Sequence, residues 1–462
     1  MNAIVFTALW GVIMMIAGAF VRSTTAPRYM GMLGIILVFV VNAMELTSGF
    51  SLFTLPTMDM VRSSTFNLTF LAVVFGITFL IFLLNGRDIE KIGKHKFEYF
   101  AILFFILCGV SLVSTFNNLL LLFLGIEIMT IPLYILTGSD KRNLVANEAA
   151  LKYFLLGSFS TGLMLMGIAF LYGSNPVASF YINNMQFGVG ALPVLTVIGM
   201  LLLLSSMSFK VSVAPFHFWT PDVYDGAPTV VTSFMSSVIK IAGFFAFLRL
   251  FENAFGVMHA QWQMLIALLI VATLLVGNIT AIFQQSVKRM MAYSSIAQAG
   301  FMLFALFAMN DMAREGLVLY SAAYSLASIG VFGVLARMDD ITYGGFNGMG
   351  KTHPLLALGT TVCLLSLTGI PLTAGFLAKF YMLASAVQTG VYFWLVVVAV
   401  LFAAVSAYYY FRVIRAIYFK SPEGNNEGIK VSRSFEWILL LIACLIIALG
   451  INPEWLLGWM FI

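Results

Sequence analysis

Five ionisable residues lie inside apolar runs long enough to exclude water: Glu127, Lys152, Lys210, Lys240 and Lys379. A charge at mid-bilayer costs about 2.5–3.5 kcal/mol on insertion scales, so such a group is paired, wetted or functional. Glu127 and Lys240 lie nine and eleven residues into their runs, too deep to reach either surface. Lys210 precedes Pro215 by five residues, and Lys379 follows the Gly369-Ile370-Pro371 interruption. Spacing alone leaves those two open between snorkelling and function. Lys152 is only five residues into its run, and snorkelling is the favoured reading. His217, in Pro215-Phe216-His217-Phe218-Trp219, is either a packed hydrogen bonder or a proton relay. The chemistry open to such a set is proton transfer. Desolvation weakens a lysine's hold on its proton and a nearby carboxylate restores it, so moving one relative to the other loads or releases a proton near neutral pH. Arginine, which stays protonated, cannot do this.

Hydroxyl and amide side chains accompany the lysines at helical spacing. Thr229, Ser233, Ser236 and Lys240 step by 4, 3 and 4. Tyr320 and Tyr324, with Ser321, Ser325 and Ser328 beside them, form a second stripe, and Ser294, Ser295 and Gln298 a third. One such stripe serves helix packing as readily as transport. Three of them, in a chain with buried lysines, indicate a hydrated interior track.

The elements that must hold these residues follow from composition. The chain of 462 residues is 61% hydrophobic and 9% charged, which excludes an ordinary globular or disordered protein. At about 20 apolar residues per crossing, the sequence reads as an all-α polytopic membrane protein of fourteen spans. They fall near 3–21, 29–46, 66–85, 97–115, 118–137, 147–172, 193–214, 229–251, 262–283, 290–309, 315–336, 354–386, 391–419 and 435–451. Span seven belongs to a longer apolar segment, from Ala191 to Gly226, broken by Pro215 and Pro221, and span twelve is broken at Gly369-Ile370-Pro371 and Gly375. The two are five spans apart. Tandem repeats of five helices run in opposite directions, and broken helices at matching places in inverted repeats point to an ion pathway; two unrelated kinks are the plainer alternative. The expected division is an N-terminal three-helix segment (1–96), a first five-helix repeat (97–252), a second, inverted repeat (253–420) and a C-terminal helix (421–462).

The net charge of +5 is a matter of topology. Seventeen basic residues fall on one face: Arg22, Arg28, Arg87, Lys91, Lys94, Lys96, Lys141, Arg142, Lys288, Arg289, Arg337, Lys351, Arg412, Arg415, Lys420, Lys430 and Arg433. Only Arg62, Arg249 and Arg314 fall on the other. The positive-inside rule then places both termini outside. Nothing is left for a nucleic-acid partner to explain. No Walker loop, GxGxxG turn, or Cys/His cluster for metal, haem or iron–sulfur is present, so any driving redox chemistry happens in another chain. Cys108, Cys363 and Cys444 read as packing residues, and the first apolar run as a span, not a signal peptide.

Four motifs, in order along nearly the whole chain, are Glu148-Ala-Ala-Leu-Lys-Tyr-Phe-Leu-Leu-Gly157, Ala214-Pro-Phe-His-Phe-Trp-Thr-Pro-Asp222, Val287-Lys-Arg-Met-Met-Ala-Tyr-Ser-Ser-Ile-Ala-Gln298 and Gly369-Ile-Pro-Leu-Thr-Ala-Gly-Phe-Leu-Ala-Lys379. They resemble the antiporter-like membrane subunits of respiratory complex I, and within that group the chain is most similar to the subunit N family. The resemblance implies a proton-translocating, multi-pass subunit of the bacterial inner membrane. It implies a charged pair of Glu127 and Lys210, a central relay lysine in Lys240 and an outlet lysine in Lys379, with His217 and Lys152 as lesser members. It further implies no cofactor in this chain. NADH, FMN, iron–sulfur clusters and quinone would serve partner subunits, and the neighbours would be other membrane-arm subunits, further antiporter-like ones included. The competing readings are a subunit of a multi-subunit sodium/proton antiporter, a stand-alone solute transporter and a purely structural membrane subunit.

Overall fold

In the computed structural model, residues 1–21, 23–53, 59–92, 95–185, 193–421 and 431–461 are described. Arg22, Lys94 and Lys430, counted above for the basic face, lie outside them, as do the side chain of Lys91 and the start of the segment at Ala191. Eleven helical segments among the described residues are long and apolar enough to cross a bilayer. One of these, Thr229–Ile282, holds two crossings joined by the short turn Gly256–Met258. Spans seven and twelve are each divided, the first into Val194–Lys210 and Trp219–Gly226, the second into Pro354–Thr368 and Ala374–Gln388. Among the described residues the bundle therefore has fourteen crossings, with helices seven and twelve broken in two five-helix repeats. Equivalent neighbours meet in both: span four packs on five as nine packs on ten, and six on seven as eleven on the second half of twelve.

Both termini lie at one end of the bundle. The N-terminal ammonium meets Glu45 at 2.7 Å, and the Thr69 hydroxyl donates to the Trp459 carbonyl. The opposite end gathers the basic residues. There Arg337 pairs with Asp88 at 2.8 Å over the Phe435 ring, and Arg412 lies over Tyr343. Spans ten and eleven are almost wholly enclosed, whereas spans one, thirteen and fourteen expose most of their surface. A helix apolar on every face needs an apolar solvent, and the exposed leucines, isoleucines and phenylalanines of the outer spans face lipid or neighbouring subunits.

The two breaks have different causes. In span seven the chain leaves the helix after Lys210 and turns through Ser212, at φ +64°, before Pro215. In span twelve Gly369 closes the first half at φ +88°, a conformation that only glycine adopts without cost. Its second half folds back so closely that a Cβ on Gly375 would meet the Ser366 carbonyl oxygen at 1.9 Å. Gly375→Ala is therefore expected to destabilise the broken helix by about 1–3 kcal/mol, the cost of overpacking against backbone. Thermal melting of the purified complex checks it, and an unchanged melting temperature would contradict the close approach.

Span eight departs from the register read from the sequence. The 4-3-4 spacing of Thr229, Ser233, Ser236 and Lys240 assumes a continuous α-helix, but Met235–Ile239 form a π-turn directly before Lys240. One inserted residue rotates the remainder of the helix by roughly 100°. Lys240 consequently leaves the serine face and turns towards span ten.

Candidate proton-transfer site

Lys210 ends the first half of span seven, and its ammonium donates to the Thr161 hydroxyl of span six at 3.2 Å. That hydroxyl lies 2.8 Å from Glu127 Oε1 of span five and 3.0 Å from the Gly157 carbonyl, either of which can take its single hydrogen. Glu127 and Lys210 are thus brought together through a threonine and form no direct ion pair among the described residues. Lys210 is buried. Glu127 is half-buried, beside the exposed Leu124, Ile128 and Ile131 of its own helix, so the carboxylate lies near the outer surface of the chain.

Lys240 is 2% exposed, and no carboxylate pairs with it among the described residues. Its ammonium donates to the Ser295 carbonyl at 2.8 Å and makes a short contact with the hydroxyl of the same residue. Next along the backbone, Ser294 hydrogen-bonds the Tyr410 hydroxyl of span thirteen. Gln298, one helical turn on, donates to Tyr410 at 3.2 Å and to the Leu367 carbonyl at 2.9 Å, and it accepts from Tyr320. The same Leu367 carbonyl accepts from Lys379, also at 2.9 Å, and Thr368 supplies a second carbonyl at 2.8 Å. These carbonyls end the first half of span twelve, where the helix dipole is negative and favours a cation. Phe301 presents its ring face to the same ammonium at 4.8 Å. A cavity of about 10 Å³ lies between Gln298, Tyr320, Tyr324 and Lys379, the lower limit for one water. Between Lys240 and Lys379 the polar path is continuous except for the backbone step from Ser295 to Ser294.

Between Lys210 and Lys240 no chain of direct hydrogen bonds runs among the described residues. His217 lies in the turn between the halves of span seven, buried against Phe218, with its Nδ1 unpartnered among the described residues. Lys152 is elsewhere. Its side chain is 42% exposed at the basic end, 2.8 Å from both Glu148 and Asp222, in a cluster that continues through Arg289 to Asp225. Exposed ion pairs of this kind contribute about 0–1 kcal/mol. Lys152→Met is expected to leave proton pumping near the parent level and to change stability by no more than that; a loss of pumping as deep as that of a buried-lysine variant would contradict this placement.

Two members of the network were not read from the sequence. Thr161 stands in an apolar run beside Ser160, where a hydroxyl usually bonds its own helix. Tyr410 is one of three consecutive tyrosines, and only the packing of span thirteen shows which of them points inwards.

The family described as NADH:quinone oxidoreductase/Mrp antiporter, transmembrane, matches residues 116–405. NADH-quinone oxidoreductase subunit N of Trichlorobacter lovleyi is 41% identical over 399 residues, covering 84% of this chain and 82% of the relative. A chain of respiratory complex I from Thermus thermophilus with bound aureothin superposes with a TM-score of 0.85 at 30% identity, covering 99% of this chain and 98% of that one. A chain of the Mrp complex from Dietzia sp. DQ12-45-1b shares the fold, at a TM-score of 0.87 and 17% identity over 99% and 95% of the two chains. With more than half its length inside the family match and a relative 41% identical over 84% of the chain, the chain belongs to the NADH:quinone oxidoreductase/Mrp antiporter family of membrane subunits, in its subunit N group.

Proposed function

We propose that the chain moves protons across the membrane as a non-redox subunit of an NADH:quinone oxidoreductase complex. Glu127, Lys210, Lys240 and Lys379 form the relay, with His217 as a secondary member. Lys152 belongs to the relay only as a charged group at its inner edge. The observation that carries the reading is Lys240: a fully buried lysine without a carboxylate among the described residues, facing a second buried lysine across hydroxyl, phenol and amide groups interrupted only by the Ser295–Ser294 backbone step and the shared Leu367 carbonyl. A purely structural ion pair needs no such path.

NADH, FMN, iron–sulfur clusters and quinone are used by partner subunits, and the chain's neighbours are the other membrane-arm subunits, antiporter-like ones among them. The repeats are proposed to run from 97 to 252 and, inverted, from 253 to 420, after a three-helix segment (1–96) and before a C-terminal helix (421–462). Both termini are proposed to face the periplasm of a bacterial inner membrane, on the strength of the basic end. A reporter fused after Ile462 is expected to be active only as a periplasmic fusion, and cytoplasmic activity would reverse the orientation.

The subunit composition of the solubilised native complex tests the whole reading. Flavin and iron–sulfur clusters that travel with this chain would support it. Co-purification with antiporter subunits alone, without flavin, would favour a sodium/proton antiporter, the other activity in the family's description.

A further inference from the structure

We propose that a pocket at the centre of the outer face receives a carboxylate-bearing segment of a neighbouring subunit. Arg62, Arg249 and Arg314 are far apart in sequence, and they are the three basic residues that the charge pattern leaves on this face. All three line one pocket of about 400 Å³, with Asn67, Glu252 and Asn253. Positive-inside selection works against each of these arginines separately, so their convergence on one spot calls for a local cause.

The pocket is short of negative charge. Arg314 is neutralised by Glu252 and by Asp311, which is itself 90% exposed at the rim. Arg249 is bound only by neutral acceptors among the described residues: the Phe116 carbonyl at 2.8 Å, Asn67 Oδ1 at 3.0 Å and the Arg62 carbonyl at 3.2 Å. The guanidinium of Arg62 is exposed, with neither a hydrogen bond nor an ion pair among the described residues. Neither guanidinium is bonded to a carboxylate among the described residues, although Glu252 shares the pocket with Arg249 and Asp59 lines the recess beside Arg62, and their planar forks match the two oxygens of a carboxylate.

Shape decides among anions. Spans three, eight and eleven line the pocket, with the residues just past span four and those at 182–183, and spans three and eleven are among the most enclosed of the bundle, which sets the pocket back from the lipid-facing perimeter. One wall is apolar, since Phe66 lines it and lies against Phe245 at 4.7 Å, which stacks on Phe70 at 4.1 Å. A second recess of about 440 Å³ shares Arg62, Asn117 and Asn183 with it and adds Asp59 and Tyr181. One ion leaves most of that volume empty, whereas an extended acidic peptide fills both recesses and meets their amide and phenol groups.

The proposal rests on the reading that this chain works inside a multi-subunit complex, and its test reads assembly, not pumping. In the native complex carrying Arg62→Lys, which keeps the charge, a water-soluble carbodiimide is expected to join residue 62 to an Asp or Glu of another subunit, identified by peptide mass spectrometry. Cross-links confined to Asp59 or Glu252 of the same chain, or none at all, would overturn the proposal. So would a phospholipid or inorganic phosphate retained by the parent complex and lost from Arg62→Gln. The Arg62→Gln complex should also release its neighbour at several-fold lower salt than the parent, as the loss of a screened ionic contact requires. Equal salt resistance would count against it.

Discussion

Lys240→Met is expected to reduce proton pumping, and the quinone reduction coupled to it, by about a hundredfold or more, the low end of the effect of removing a general acid–base group. Assembly should survive. Methionine has nearly the length of lysine, and the ammonium it replaces is a buried charge without a carboxylate among the described residues, so the change removes a desolvation cost as well as two hydrogen bonds to Ser295. Lys240→Arg is the decisive control. Arginine preserves a positive charge but does not release its proton, so a relay fails in this variant too, whereas a site that needs only a fixed charge recovers. Proton uptake by the reconstituted complex, measured with its quinone reductase rate, separates the outcomes. Parental pumping in an assembled Lys240→Met complex would remove Lys240 from the mechanism.

The second large effect concerns Thr161. Thr161→Val has almost the shape of the parent and leaves Glu127 and Lys210 in place, but it deletes the hydroxyl that touches both. If protons or polarisation pass between the two charges, pumping should fall by roughly an order of magnitude, as for loss of a positioned proton-transfer group, and Thr161→Ser should restore it. If the two charges only stabilise the fold, Thr161→Val should be nearly silent. The double variant Glu127→Gln with Lys210→Met carries the same logic further. It leaves no orphan charge, so it should assemble at least as well as either single variant. It should still fail to pump, and recovered pumping in the double variant would reduce the pair to a structural role.

The parts of this architecture legible in the sequence are those that depend on local composition. Fourteen crossings follow from apolar run length, and the two broken helices from Pro215 and Gly369-Ile370-Pro371, which lie in the interruptions, whereas Pro221 falls in the first turn of the second half-helix and breaks nothing. Lys210, Lys240 and Lys379 were visible for the same reason, since depth along a helix can be counted; Lys152 proved half-exposed, and the buried Lys288 reads in the sequence as part of the basic face because its burial comes from packing. Lateral relations were not visible. A threonine between Glu127 and Lys210 is a fact about three helices meeting, and no spacing within span six announces it. The π-turn before Lys240 has no composition of its own, so the serine stripe drawn on an ideal helix points the wrong way at its last step. The convergence of Arg62, Arg249 and Arg314 was hidden in the same way, by sequence separations that only the packed bundle closes.

The contacts of Lys379 can also be counted in hydrogens. An ammonium group has three N–H bonds and a neutral amine has two. Lys379 gives one to Leu367 and one to Thr368, and Lys240 gives both of its placed hydrogens to Ser295. Either lysine can therefore shed its third hydrogen and keep every one of these contacts. In the proposed relay, discharge at these two positions needs no rearrangement of side chains, so charge changes while shape does not. Coupling to a distant driving reaction requires shape to change somewhere. That burden falls on the other half of the chain, where a single rotatable hydroxyl on Thr161 can bond the carboxylate or its own helix, but not both at once.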